Sequence, residues 1–510
     1  LLVGGTFGFF TMSWNLSTYL LLGGYFNFLA SLSRPFFKFC INNALLPLAV
    51  FFFYCGLVIN FYLGETEVWR VWESVTGLVL GLVLSLFVYA IYFNLTNRDI
   101  SYYRPQHREQ PPNMGPGQRG RSTPIRRAYR AQPLAPVLVG AYDNPYRVAN
   151  YLNLKLKTRL VRSVTHYDSA VLQGIFRQNH LNAILLQGIS ILTLFALGLL
   201  IDQPLFQIPA GASFLVMLTL VVAIIGAISY WFSEWRFTLL VLLLIGVNLL
   251  TSSPWIQLGN QAYGLEYRGK MATYSEARLL SLYGSEQVTE DIRATEQILD
   301  NWKARQPSAK PPFVIVCASG GGLTAALWAV HVAQSLDQCS NQTFLRSTAL
   351  FTGASGGMMG LGYLREAYYS DSAFAANANV RLNRVSQDML NPIAFSIVSN
   401  DLFLPLTEVQ VGGKSYRRDR AYGFEREFGL NTDFVLDKPL WTYREPERRA
   451  DIPMMLVTPS IVDDGRRLVI SPQGVSYMTA APAATRGDLP LLPDMVDFRW
   501  LLAEQDADSL

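Results

Sequence analysis

Charged residues, histidine and cysteine are the scarce types in this chain of 510 residues. Charged side chains make up 16% of it, residues 1–33 contain none, and half of the chain is apolar. With a mean hydropathy of +0.20, that composition points to a membrane protein carrying a soluble domain. The four cysteines, Cys40, Cys55, Cys317 and Cys339, have no metal-ligand spacing, and the first two fall in apolar segments. A disulfide framework and a zinc site are therefore not expected, and no cofactor or metal is implied. The four histidines are His107, His166, His180 and His331. Three precede the last 250 residues, and His331 lies within an apolar helical pattern, which argues against a serine–histidine–acid triad. Few ionisable residues interrupt the apolar runs, so a transporter with a buried charged pathway is disfavoured.

Against that background stands Phe351-Thr352-Gly353-Ala354-Ser355-Gly356-Gly357-Met358. Thr348–Phe351 is a short β-prone run, and the residues from Gly356 on are compatible with a helix. Gly353, Ser355 and Gly357 give G-x-S-x-G, the pattern of a tight strand-to-helix turn that holds a serine hydroxyl out on a strained backbone. About 35 residues upstream, Pro311–Ala318 reads as a buried strand and Leu323–Ala333 as a helix. Between them lies Ser319-Gly320-Gly321-Gly322. Three glycines at a helix N-terminus expose N–H groups suited to an oxyanion or a phosphate. A serine beside such a loop is the minimum equipment for acyl transfer.

The same glycine turn admits other readings. Gly320-x-Gly322-x-x-Ala325 is a degenerate dinucleotide fingerprint, but Asp337 comes too early to be its acidic partner. The G-K-[ST] of a phosphate loop is absent from this turn. Gly413-Lys414-Ser415 lacks both the upstream glycine and the following apolar helix.

At these residues the chain resembles the patatin-like phospholipases, in particular membrane-anchored bacterial ones. Gly320, Gly321 and Gly322 match that family's oxyanion loop, Ser355 its nucleophile, and Gly353 and Gly357 the elbow glycines. Asp419-Arg420-Ala421 is a less specific match. The resemblance covers roughly residues 311–500. It implies a layered α/β domain, a Ser–Asp dyad without metal or cofactor, and hydrolysis of glycerophospholipid acyl esters, with acyl transfer as a variant. Two departures stand out: Thr324 occupies a place that is often basic, and the Asp-Gly-Gly/Ala motif is missing. Asp464-Gly465 is the only Asp-Gly after Ser355, and its flanking β runs read as a hairpin. Residue 1 lies inside an apolar run and residue 510 closes a polar segment, so both ends read as cut. The dyad aspartate is expected beyond Leu510. A non-catalytic scaffold that retains a degenerate hydrolase domain is the alternative.

In chain order, residues 1–97 are expected to hold transmembrane helices: an irregular run over 1–30, then Phe39–Leu63 and Ser74–Phe93. Residues 98–180 form a basic loop, with fourteen Lys/Arg against four Asp/Glu between Arg98 and Arg177. Its Pro/Gly-rich part, Arg104–Val137, reads as a disordered linker and Tyr151–Arg177 as more helical. The positive-inside rule makes it cytoplasmic, and an amphipathic segment on anionic lipid is the sharper alternative. Nucleic-acid binding is not expected, because no recognised module accompanies the charge. Residues 181–257 hold Leu181–Ile201, Ala210–Ser233 and the short Phe237–Leu250. If the last crosses the membrane by continuing to Ile256, residues 258–510 lie on the periplasmic side of a bacterial inner membrane, the favoured reading. Residues 258–510 form the α/β domain, entered through helical stretches at Ala277–Tyr283 and Gln287–Arg305.

Overall fold

The computed structural model describes residues 1–22, 26–65, 68–103, 148–164, 167–200, 203, 208–232, 235–251, 261–265, 274–275, 277, 279, 285–401, 407–479, 485–486, 489–490 and 493–500. The expected linker at Arg104–Val137 and the expected extension to Ile256 lie outside these residues. So do most of Ala277–Tyr283 and everything past residue 500. The chain divides into two compact units, Leu1–Gln257 and Leu258–Leu510.

The first unit is helical: α1 (Leu2–Leu22), α2 (Pro35–Asn42), α3 (Leu45–Gly64) and α4 (Val68–Thr96), then α5 (Ser169–Leu199), α6 (Ala210–Trp231) and α7 (Arg236–Thr251). Among the described residues, α3, α4 and α6 are long and apolar enough to cross a membrane. Their outward side chains are large and apolar, such as Phe52, Phe53, Phe87 and Val88. At about 1.5 Å per residue, the 16 residues of α7 reach about 24 Å, short of a hydrocarbon core of about 30 Å.

α1 is the most enclosed helix, and small residues let its neighbours approach. A Cβ on Gly4 would sit 2.0 Å from the Leu78 carbonyl oxygen of α4. One on Gly81 would sit 2.0 Å from the Leu1 carbonyl oxygen. Gly4 and Gly8 on α1, and Gly77 and Gly81 on α4, are each a G-x-x-x-G pair. In lipid, where apolar burial drives little association, such close backbone approach supplies the packing. On its other side α1 meets α6: a Cβ on Gly226 would lie 2.7 Å from that of Ser17, and Ser13 Oγ donates to the Thr219 carbonyl at 3.3 Å.

Two expectations need correction. Phe39–Leu63 is not one helix; α2 ends at Asn42 and α3 starts at Leu45. Asn43 Nδ2 donates across to Asn15 Oδ1 at 3.0 Å and to Thr18 Oγ1 at 2.7 Å. Asn42 holds the Leu152 backbone through both its amide atoms. These tertiary bonds fix the break. Tyr151–Arg177 is not a helix at its start. It opens with an antiparallel hairpin, β1 (Asn150–Leu152) with β2 (Thr158–Leu160). Asn153 Oδ1 accepts from Lys155 N and Lys157 N in the turn, and helix begins only at Ser169.

The second unit contains α8 (Ser285–Ala304) and is built on a parallel sheet. Strand β3 (Val314–Ala318) leads into α9 (Gly322–Cys339); β4 (Thr348–Gly353) leads into α10 (Ser355–Ser370). The ladder antiparallel pair β5 (Glu408–Val411) and β6 (Lys414–Arg417) follows, then α11 (Arg420–Asn431), β7 (Met454–Val457), β8 (Arg467–Val469) and β9 (Met495–Asp497). The sheet order is β3–β4–β7, all parallel, with Gly353 opposite Ala318 and Val457. β8 returns antiparallel beside β7 through the Val457–Ile470 bridge and pairs parallel with β9. Strand side chains alternate faces. Phe351 accordingly packs with Ala326, Val330, Met358 and Leu361 of α9 and α10, and Leu350 with Leu456, Val469 and Val475.

α10 is held to the chain that follows it by buried charge. Arg365 and Glu447, both under 2% exposed, form an ion pair. Glu447 also accepts from Met455 N and Gln473 Nε2, each at 3.1 Å. Next to it, Glu366 takes Lys438 Nζ and the Tyr443 hydroxyl, each at 2.8 Å.

Two substitutions probe these packings. Gly81→Leu is expected to destabilise the first unit by about 2 kcal/mol or more through overpacking. Gly56→Leu, where nothing lies within 4 Å, should be nearly neutral; thermal unfolding of both variants in detergent compares them. Glu447→Ala leaves the Arg365 guanidinium buried and unpaired, and should cost about 3–5 kcal/mol in denaturant unfolding of the second unit.

Candidate active site

The first glycine segment closes on the second through the backbone. β3 ends at Ala318, and its carbonyl accepts the Ala354 N–H at 3.3 Å. Gly353 has φ 148°, and a Cβ there would sit 2.0 Å from that same carbonyl oxygen. Its own carbonyl is fixed from β7's side by Thr458, whose N–H donates at 2.8 Å and whose hydroxyl donates at 3.1 Å. The peptide before Ala354 is thus gripped from two neighbouring strands.

Ser355 then begins α10 with φ 56°. That is the left-handed region, where a non-glycine residue is strained by about 1–3 kcal/mol. The strain turns the side chain out of the elbow, and Ser355 is exposed while Gly356 and Gly357 are buried. A Cβ on Gly356 would be 1.8 Å from the Gly322 carbonyl oxygen, and one on Gly357 2.4 Å from that of Ser319.

The three loop glycines lie beside the serine. A Cβ on Gly320 would approach Ser355 Cβ to 3.1 Å and Oγ to 3.5 Å. Gly321 and Gly322 take positive φ, 155° and 62°, and α9 starts at Gly322. The first N–H groups of a helix have no partner inside it. Two helix N-termini, those of α9 and α10, therefore open around one serine, and their dipoles favour negative charge there. The structure so brings together all six residues singled out in the two motifs: Gly320, Gly321, Gly322, Gly353, Ser355 and Gly357.

The two acidic candidates within the chain have other partners. Asp464 lies on the turn between β7 and β8, where Tyr274 Oη donates to it at 2.6 Å and Arg466 pairs with it. The hydrogen bond from Tyr274 and those from Arg466 hold its carboxyl below the usual range, which makes it a poor proton acceptor. Asp419 is the N-cap of α11: its Oδ1 accepts from Ala421 N at 2.9 Å and Tyr422 N at 3.1 Å. An aspartate beyond Leu510 lies outside the described residues.

His331 is exposed on α9, nine residues after the helix starts, hence about 13 Å along its axis from the serine end. His180 bonds the Tyr230 hydroxyl through Nδ1 at 2.8 Å in the first unit. His107 and His166 lie outside the described residues.

Sequence reasoning missed Thr458 and Gly360. A Cβ on Gly360 would meet the Ala326 carbonyl oxygen of α9 at 2.3 Å. Gly356 and Gly360 form a G-x-x-x-G pair that was legible in the sequence. Thr458 has no local signature; only the pairing of β7 with β4 reveals it.

No family model, curated protein or solved structure matches this chain.

The strain at Ser355 can be measured. Ser355→Gly is expected to raise the stability of the second unit by about 1 kcal/mol by relieving the positive φ. Ser355→Ala should bring no gain. Gly356→Ala forces the two helices apart and should cost about 3 kcal/mol. Denaturant midpoints of the three variants rank them.

Proposed function

We propose that the second unit is a serine acyl-ester hydrolase acting on membrane lipid, of the patatin-like type that the two glycine motifs resemble. The observation that carries this reading is the strained, exposed Ser355 with Gly320 packed against its hydroxyl. An observed backbone outlier at a nucleophilic side chain is a pointer to function, because a glycine would fill the position without strain.

In the proposed reaction, Ser355 Oγ attacks the ester carbonyl carbon. Its proton passes to a carboxylate, the base of a Ser–Asp dyad. The N–H groups of the Gly320–Gly322 loop and of Gly356 receive the oxyanion of the tetrahedral intermediate. On collapse the ester C–O bond breaks, the protonated carboxyl returns its proton to the leaving oxygen so that it departs as the alcohol, and an acyl ester remains on Ser355. Water, deprotonated by the same carboxylate, then frees the fatty acid and restores the serine. The distance of His331 from the serine supports a dyad in place of a triad. The membrane-crossing helices of the same chain support a lipid ester, since they keep the unit at a bilayer where such esters are concentrated.

The test is labelling of the full chain in detergent with a small fluorophosphonate. Wild type is expected to label at one site, and Ser355→Ala to lose more than 95% of the signal, or about 1.8 kcal/mol or more of transition-state stabilisation by this measure. An unlabelled wild type overturns the hydrolase and leaves the non-catalytic scaffold.

A further inference from the structure

The surface around Ser355 is unusual in what it presents to water. Pro311–Leu336 contains no Asp, Glu, Lys or Arg, and neither does Ser347–Leu364. Much of the second segment is buried, and there the absence of charge follows from packing; in the first, Ala326, Val330, Ala333 and Gln334 are buried. The exposed positions are different. Ser355, Ser319, Gly320, Gly321, Gly322, Thr324, Trp328 and His331 all face solvent. They run from the elbow along one side of α9, where residues three and four apart share a face. Trp328 is 65% exposed, with His331 beside it at 6.2 Å between ring centroids.

We propose that this uncharged strip, from the Ser355 elbow to Trp328, is where the second unit meets a phospholipid bilayer. The inference rests on the reading of Ser355 as a lipid-directed nucleophile and names the surface that would deliver it to substrate.

Two features favour a bilayer over a protein partner. Indole is apolar in body with one N–H donor, and its preferred medium is the lipid headgroup region. The chain's own apolar helices tether the unit to a membrane, so the bilayer is always within reach. Trp441, another exposed tryptophan among the described residues of this unit at 50%, has a different setting. It sits among Lys438, Arg444, Glu445, Arg448 and Arg449, as an ordinary hydrated surface would. With no Lys or Arg on the strip, docking should depend little on lipid charge or salt.

The experiment uses the full chain in phosphatidylcholine nanodiscs, with exposed Cys317 and Cys339 changed to Ser. A nitroxide is attached at Trp328→Cys or, as a control, at Trp441→Cys. Collision with oxygen is compared with collision with a water-soluble nickel complex. The expected result is a severalfold preference for oxygen at position 328 and for nickel at 441, unchanged when a third of the lipid is anionic. In parallel, Trp328→Ala should lower turnover of bilayer phospholipid about tenfold and leave labelling by the small fluorophosphonate unchanged. Full access of nickel to position 328 overturns the proposal. So does shielding from both reagents, which would mark a protein contact. Failure of wild type to label would sink the hydrolase reading, while the nitroxide pair still decides the surface.

Discussion

The second unit depends on backbone lying directly against backbone. Gly353, Gly356, Gly357 and Gly360 each lie where a Cβ would come within 2.4 Å of a carbonyl oxygen of the β3–loop–α9 segment. At these four points no side chain of the β4–α10 segment fits between the two strand–turn–helix units, so they close only where that segment is glycine. This closeness sets the rest of the geometry. It fixes the helix-starting elbow against the glycine loop and aims two helix N-termini at one point. It also leaves the Ser355 side chain a single direction, outward. On the β4–α10 side, Gly353, Gly356, Gly357 and Gly360 are the positions pressed into the contact, and the strained position that faces solvent is serine. Backbone strain alone would favour glycine there too, and that difference is what the proposed nucleophile would account for.

The first unit uses the same device in another solvent. Gly4 and Gly81 bring α1 and α4 to backbone contact, and Ser17 and Gly226 do so for α1 and α6. In water such contacts would be a minor supplement to apolar burial. In a bilayer they carry most of the association, because lipid chains solvate leucine as well as a neighbouring helix does. Asn15 and Asn43 add a polar tie between α1 and the α2–α3 break, where an unpaired amide would otherwise face an apolar surround.

What was legible in the sequence follows from what is local. The strand, glycine and helix succession at 311–333 and 348–369 is written in residues a few places apart, and the structure has elements at those positions. The apolar runs at 74–93 and 210–233 are long enough that composition alone identifies α4 and α6. The errors arose where a long-range contact or a side-chain hydrogen bond within a turn decided the outcome. The leucines at 152, 154 and 156 among Lys155 and Lys157 suggest a helix, but the Asn153 side chain, which accepts from the backbone of Lys155 and Lys157, makes 153–157 the turn of a hairpin. The break at Asn43 depends on Asn15 and Thr18, nearly thirty residues away. Thr458 grips Gly353 from a strand a hundred residues later. No local pattern encodes such partners.

Charge needs the same separation of causes. The buried residues of β4 and of the first turns of α10, up to Leu364, are uncharged because an unpaired ion there would be costly, so they say nothing about partners. Where charge is buried, at Arg365 with Glu447 and at Glu366 with Lys438, each group has its counterpart. Exposed positions are under no such constraint, and elsewhere in the second unit they are charged freely, as from Arg444 to Arg449. The water-facing side of α9 that adjoins Ser355 has neither constraint nor charge. An uncharged surface that packing does not require fits the proposed contact with lipid, the medium that the long apolar helices of the first unit also suit.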